Sequence, residues 1–304
     1  MEAPDPIQTG LSETPFRRAM LVVNPTSGRG QGVKVAQELA EALGQKGIAS
    51  ETHVTRERGD GLRAMRAKGT DYDLAIAIGG DGTIRETLEG LVDTEVPVAV
   101  VPAGTANVLA GCLGLRRDVH HTLEVILGNQ PRDLNVARVN GRLSMLCVGV
   151  GFDGWAVREM ERTRKGASSM RAYAKALTVS FRRFEPKSLS VTLDGVRRKE
   201  TFGSVLVSNT ARYAGAVKLS PEARLDDGLF EVYLFPTGTR LELARALTRG
   251  LVRHLPGGAV TMERARSVRI ECDEEVPCQI DGDAAGATPV ELEVQETRFR
   301  ILAP

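Results

Sequence analysis

The stretch Asp73-Leu-Ala-Ile-Ala-Ile-Gly-Gly-Asp-Gly-Thr83 decides the fold: an apolar run, three glycines in four positions around one carboxylate, then a helical pattern from Ile84 to Val92. Glycines let a backbone approach a bulky anion, and N–H groups exposed at a helix N-terminus favour phosphate. A carboxylate amid those glycines serves a phosphate site when a cation or a proton transfer is involved. Taken alone, the turn reads equally well as a tight strand-to-helix junction.

Two sister turns flank it. Ala19 to Val23 is an apolar run ending in Asn24-Pro-Thr-Ser-Gly28, after which Val33, Ala36, Leu39, Ala40 and Leu43 recur at helical spacing. Val96 to Val101 ends in Pro102-Ala-Gly-Thr-Ala-Asn107 and leads into a helix near Thr105 to Cys112. Strand, glycine turn and helix, three times over, predict a Rossmann-like α/β layer with a parallel sheet. Ligands on such sheets bind outside the carboxyl ends of the strands, where all three turns must lie.

After Asn135 the pattern changes. Short alternating runs appear at Leu189 to Leu193, Val205 to Val207, Phe230 to Phe235, Val268 to Cys272 and Val290 to Ile301, with a hairpin signal at Asp194-Gly195. This half is predicted to be mainly antiparallel β, with two helical insertions. One runs from Trp155 to Phe184, broken near Gly166; the other runs from Thr239 to His254 and opens with a capping box, Thr239-x-x-Glu242. The domains expected are a frayed tail at 1–15, an α/β unit at 16–136 and a β unit at 137–304 whose last strand is free to return to the first.

Composition excludes several classes. Lys and Arg number 40 against 39 Asp and Glu, so no global field draws the chain to polyanions, and aromatic residues at 4% are too sparse for stacking on single-stranded nucleic acid; none is expected as a partner. Cys112, Cys147, Cys272 and Cys278 lack paired spacing and read as reduced thiols of a cytoplasmic protein. The four histidines show no zinc spacing. Val96 to Leu115 carries no charge, but its prolines and glycines are wrong for a lipid-exposed helix. Gly28 to Lys34 misses the Walker pattern at Val33. Gly149-Val-Gly-Phe-Asp-Gly154 matches the literal dinucleotide pattern, yet no acidic ribose ligand follows about twenty residues on, and the motif is read as a close backbone turn at the domain junction.

The motifs taken together resemble the catalytic superfamily of diacylglycerol kinases and sphingosine kinases, most of all its soluble bacterial lipid kinases. They are NPTSG at 24–28, GGDGT at 79–83, PAGTAN at 102–107, GVGFDG at 149–154, Ser220-Pro-x-Ala223 with Asp226-Asp-Gly228, and Asp281-Gly-Asp283, in that order and spanning the chain from about Ala19. The resemblance implies an ATP-binding N-terminal α/β domain and a C-terminal β-sandwich, with lipid entering between them. It implies that Asn24, Thr55, Gly79, Gly80, Asp81, Gly82, Thr83, Thr105 and Asp283 hold ATP, that the catalytic residues are Asp281 as general base and Asp81 as organiser of the nucleotide and its metal, and that Asp227 with the carbonyls of Arg224 and Leu229 binds a structural Mg²⁺. Phosphoryl transfer needs positioning, charge neutralisation and a carboxylate at the attacking hydroxyl, and the chain carries residues for each.

Three positions depart from the family pattern: Arg85 for a frequent asparagine, Val108 for a common aspartate and Asp283 for the usual glutamate. The expected activity is transfer of the γ-phosphate to a hydroxyl of diacylglycerol, a sphingoid base or a related lipid. GGDGT is shared with NAD kinases, so a soluble NAD kinase is one rival; a catalytically weak lipid- or nucleotide-binding protein is the other. Between 155 and 187 nine basic residues stand against three acidic ones, interleaved with Trp155, Met160, Met170, Tyr173, Leu177 and Phe181. That stretch is either a surface for anionic lipid at the inner membrane face or a solvated helix pair over a core. An exposed sheet edge offers a route to a homodimer.

Overall fold

The computed structural model describes residues 14–163, 179–182, 184–213, 217–237 and 240–304. The predicted break at Gly166 and the capping residue Thr239 lie outside these residues, as do Arg164, Lys165, Met170, Arg171, Tyr173, Lys175, Leu177 and Arg183 of the basic stretch.

Three apolar runs become the centre of the first sheet: β1 (Arg18–Val23), β3 (Leu74–Gly79) and β4 (Val98–Pro102), buried throughout but for the leading Arg18. Strands covered on both faces need continuous rather than alternating apolar residues, which is why these read so clearly. Helices α1 (Gly32–Gln45), α2 (Asp60–Lys68) and α3 (Asp81–Gly90) supply the cover; α1 buries Ala36, Leu39 and Leu43, one stripe at helical spacing. The sheet order is β2 (Ala49–Val54), β1, β3, β4, β20 (Phe299–Leu302) and β5 (Pro131–Leu134). β1, β3 and β4 are parallel neighbours, so their carboxyl ends open side by side. β2 has no apolar run, since it is an edge strand with little to bury, and the sequence gives no sign of it.

The expected third helix starts late. Asn107 takes a left-handed conformation (φ 48°), and α4 covers only Val108–Cys112 before α5 (Val119–Gly128).

Two further sheets form the C-terminal sandwich. One runs β10 (Val196–Arg197), β9 (Ser190–Leu193), β16 (Ser267–Glu271), β19 (Val290–Val294), β6 (Ala137–Val139) and β7 (Arg142–Ser144). The other runs β15 (Thr261–Ala265), β14 (Phe230–Pro236), β11 (Phe202–Ser208), β8 (Cys147–Val150), β17 (Pro277–Ile280) and β18 (Asp283–Ala287). A small ribbon pairs β12 (Arg212–Tyr213) with β13 (Val217–Lys218). β19 alternates buried and exposed residues, as a half-wet sheet requires, and its buried Val290, Leu292 and Val294 meet Val148, Val205 and Val232 of the facing sheet.

β11 and β14 do not alternate, because their outer face is covered by α6 (Phe152–Thr163) and α7 (Arg240–Val252) around Phe152, Phe184, Tyr233, Phe235 and Leu243. Asp194 and Gly195 both have positive φ, the geometry of the predicted two-residue hairpin. The run read as one strand from Val290 to Ile301 divides at Gln295: β19 stays in the sandwich and β20 crosses to the first sheet, pairing with β4 and β5.

Candidate active site

The three glycine turns are bonded to one another at the sheet edge. Ala103 N–H donates to the Gly79 carbonyl and Gly28 N–H to the Ala103 carbonyl, both at 2.7 Å. A Cβ on Gly80 would lie 3.1 Å from the Gly104 Cα, and one on Gly104 would run into the Gly80 backbone. Gly79 is fixed by Thr83, whose buried side chain fills the space a Cβ would need. Gly82, in the first turn of α3, is exposed with open space where a Cβ would stand. No side chain caps that turn, which leaves its N-terminus available to an anion.

Side chains in these turns hold backbone. The Asn24 amide oxygen accepts from Thr26 N–H at 3.0 Å and Thr26 Oγ1 at 2.8 Å. Asn107 closes on Gly104, accepting from its N–H at 2.8 Å and donating to its carbonyl at 3.0 Å. Asp81 spans two turns: Oδ2 accepts from Val108 N–H at 3.1 Å and Oδ1 from Leu109 N–H at 3.2 Å. Burial pushes the Asp81 carboxyl above its ordinary range against these bonds, and the charge of Asp281 adds to the rise. Thr55 donates from both N–H and hydroxyl to the Val23 carbonyl beside Asn24, whereas Thr105 is exposed on the loop before α4.

Asp281 faces these turns from the other lobe. It and Gly282 form the left-handed tip (φ 50° and 85°) of the hairpin joining β17 to β18. Its Oδ1 accepts from Ser144 Oγ, Leu146 N–H and Cys147 N–H at 3.0, 2.9 and 3.0 Å, and its Oδ2 from Met145 N–H at 3.0 Å. The side chain is 1% exposed, so the carboxylate is fixed in one orientation.

Arg85 of α3 reaches across to this hairpin. Its Nη1 lies 3.9 Å from Asp281 Oδ2 and donates to the Ile280 carbonyl at 3.4 Å, and its Nη2 meets Asp283 Oδ2 at 2.5 Å. Asp283 also pairs with Arg58. Two departures from the family pattern therefore touch each other: a longer cation at 85 meets a shorter carboxylate at 283. Val108, the third, contributes its backbone N–H to Asp81.

Behind the hairpin lies a buried relay that sequence reading missed. Gln279 Nε2 donates to Asp153 Oδ2 at 2.6 Å, its Oε1 accepts from Gly282 N–H at 2.7 Å, and the Tyr213 hydroxyl donates to Asp153 Oδ1. Burial raises the Asp153 carboxyl to about 6 despite those bonds. The GVGFDG motif explains itself here. A Cβ on Gly149 would strike Asp153, and one on Gly154 the Pro277 carbonyl, so the glycines let α6 sit against β8 and β17. Asp153 within that motif was the available signal.

Asp227 is held by a hydrogen bond and an ion pair. Its Oδ1 accepts from Leu229 N–H at 3.1 Å and its other oxygen pairs with Arg264, which also reaches Glu231 at 3.3 Å. The Arg224 side chain turns to Asp226 at 3.1 Å. A guanidinium supplies positive charge at this carboxylate; the other two ligands the resemblance implies, the Arg224 and Leu229 carbonyls, are backbone groups that these side-chain contacts leave untouched. Among the described residues no cluster of three or more acidic, histidine or cysteine side chains is placed to hold a metal.

Comparison with known proteins agrees with this architecture. Residues 18–139 match the diacylglycerol kinase catalytic domain, and residues 146–303 match the family described as the YegS C-terminal NAD kinase beta sandwich-like domain. A diacylglycerol kinase of Bacillus subtilis (strain 168) is 28% identical over 288 residues, covering 91% of this chain and 93% of its own. That of Staphylococcus carnosus (strain TM300) is 26% identical over 300 residues, covering 95% of each. The crystal structure of a diacylglycerol kinase from Bacillus anthracis strain Sterne has the same fold, with a TM-score of 0.75 at 21% identity over 96% of this chain and 98% of that one. The chain belongs to the diacylglycerol kinase catalytic-domain family, carries its second lobe as the YegS-type sandwich, and is a lipid kinase that takes its phosphoryl group from ATP.

Proposed function

We propose that the acceptor is the free hydroxyl of diacylglycerol and that Asp281 is the general base. The observation that carries this reading is the geometry of Asp281: a carboxylate locked by four donors at the sandwich hairpin, with Arg85 of α3 3.9 Å from Oδ2 and the carboxylate's charge felt by Asp81 in the glycine turn. Relatives named diacylglycerol kinase that align along nine-tenths or more of the chain support the choice of acceptor.

The triphosphate lies along Gly79, Gly80, Gly82 and Thr83 at the start of α3, with Asn24, Thr55 and Thr105 around it. A Mg²⁺ ion carried by ATP would supply neutralisation of the phosphate charge. Asp81, both of whose oxygens are spent on α4, acts by holding the 79–83 turn against the 102–107 turn. Oδ1 of Asp281 already accepts three hydrogen bonds, which leaves Oδ2 to take the lipid proton. The hydroxyl oxygen attacks the γ-phosphorus, the bond to the bridging oxygen breaks, and ADP departs. Arg85, with Nη1 3.9 Å from Oδ2, places a positive charge beside the oxygen that takes the proton. The work is done in the cytoplasm at the inner membrane face; among the described residues no helix is long and apolar enough to cross a membrane.

The test is transfer of labelled γ-phosphate from Mg·ATP to diacylglycerol, a sphingoid base and NAD presented in parallel, with Asp281→Asn alongside. Labelled phosphatidic acid that disappears in the variant is the expected result. Labelling of NAD alone, or of no acceptor, overturns the reading.

A further inference from the structure

Among the described residues only four large hydrophobic side chains are exposed, and two of them are adjacent: Leu251 at 52% and Val252 at 70%, at the C-terminal tip of α7. Around them Arg245, Arg249, Arg253 and His254 are exposed, and the following turn, Pro256 to Ala259, carries no charge. The one acidic residue of the helix, Glu242, lies in its first turn, away from the tip.

Arginines near a helix C-terminus are accounted for by the helix dipole. Two exposed aliphatic residues beside them are not. Nor can the tip turn inward to hide them, because α7 is held at close range: Gly250 packs where a Cβ would come 2.6 Å from Val217 Cγ1, and Leu255 N–H donates to the Lys218 carbonyl at 3.0 Å. Arg245 and Arg249 also stand at a cavity of about 390 Å³ beside α7, whose walls include Phe235, Leu243, Ala246 and Val260.

Aliphatic residues, a cationic collar and an adjoining apolar cavity fit one partner chemistry, an amphiphile with hydrocarbon and a negative headgroup. A nucleic acid or an acidic peptide would leave the aliphatic pair in water. The other candidate surface, α6, has used its apolar side already: Met160 is buried and Trp155 packs into the cluster with Phe152 and Phe181.

We propose that the tip of α7, with Leu251 and Val252 entering the headgroup layer and Arg245, Arg249 and Arg253 on its phosphates, docks this chain on anionic bilayers. The choice of a bilayer as occupant rests on the lipid-kinase reading above.

The test uses the full chain and two lipid presentations. Sedimentation with vesicles of phosphatidylcholine containing about 30% phosphatidylglycerol measures docking, and phosphorylation of a short-chain diacylglycerol dissolved below its micelle threshold measures catalysis without a surface. Leu251→Asp with Val252→Asp is expected to weaken vesicle binding at least tenfold while turnover of the dissolved substrate stays unchanged, which also certifies folding. Arg249→Gln with Arg253→Gln is expected to abolish the preference for phosphatidylglycerol over pure phosphatidylcholine. Unaltered vesicle binding by both double variants overturns the proposal. So does a concentration-dependent dimer of the parent chain that the aspartate pair dissolves without changing vesicle binding. If the parent chain phosphorylates neither presentation yet the docking contrast holds, the kinase reading fails and the docking surface stands.

Discussion

On the N-terminal side of the cleft, side chains are spent holding backbone in place; on the C-terminal side, backbone is spent holding a side chain. Asn24 and Asn107 direct their polar atoms into their own turns and Asp81 into the neighbouring one, so that what faces the cleft is glycine backbone and a helix N-terminus. At the hairpin, the N–H groups of Met145, Leu146 and Cys147 all converge on Asp281, so that what faces the cleft is a carboxylate. On the function proposed above, the difference follows from the two reactants. A polyanion is best met by many weak donors in a rigid cradle, whereas a hydroxyl losing its proton needs one acceptor held in one orientation.

The comparison can be broken most severely at the acceptor. Asp281→Asn is expected to lower kcat by about 10²–10⁴-fold while ATP affinity, a property of the opposite lip, changes little. Equal loss of both in titration calorimetry would show that the lips are not separable. Arg85→Met attacks the seam between them, leaving buried Asp281 without its neighbouring cation while Asp283 keeps Arg58, at a cost of about 3 kcal/mol, readable as a lowered midpoint in urea unfolding. Gly104→Ala strikes the backbone lip alone. The Cβ collides with Gly80, and overpacking of this kind costs about 1–3 kcal/mol; weakened ATP binding with an unchanged sandwich by near-ultraviolet circular dichroism is the expected outcome.

The smallest effect lies away from both lips. Glu231 is 1% exposed, Oε2 has no hydrogen-bond partner, and burial lifts its carboxyl to about 7. Because the folded pKa exceeds the unfolded value, ionised Glu231 destabilises the fold above pH 7, and that cost fades as the pH falls toward 4.5. Glu231→Gln is therefore expected to raise stability by about 1 kcal/mol at pH 8 and by nothing near pH 4.5, as thermal melts at the two pH values would show. A gain that persists at low pH would mean that packing, not charge, is responsible.

The backbone lip was legible in the sequence and the carboxylate lip only partly so. β3 and its glycines announce themselves locally, since a buried parallel strand must be apolar along its length and the turn chemistry sits in consecutive residues. Asp281 is prominent only through its motif. Its partners at Ser144 to Cys147 lie more than 130 residues away and depend on the register of β8 against β17, which no local pattern carries. Gln279 and Asp153 were hidden for the same reason, and β2, AlaSerGluThrHisVal, because an edge strand buries too little to leave a pattern. Arg85 and Asp283 stood out as departures, but their contact became visible only once the two lobes were set face to face.

β20 completes the first sheet with residues 299–302, after the whole sandwich has been threaded out from that sheet and back. In the order of synthesis this means that the N-terminal lobe cannot finish itself before the C-terminal lobe exists. A ribosome that has released residues 18–102 has exposed strands whose next neighbour in the sheet is still about two hundred codons away. Stalling, or a premature stop ahead of Phe299, would therefore injure the lobe made first.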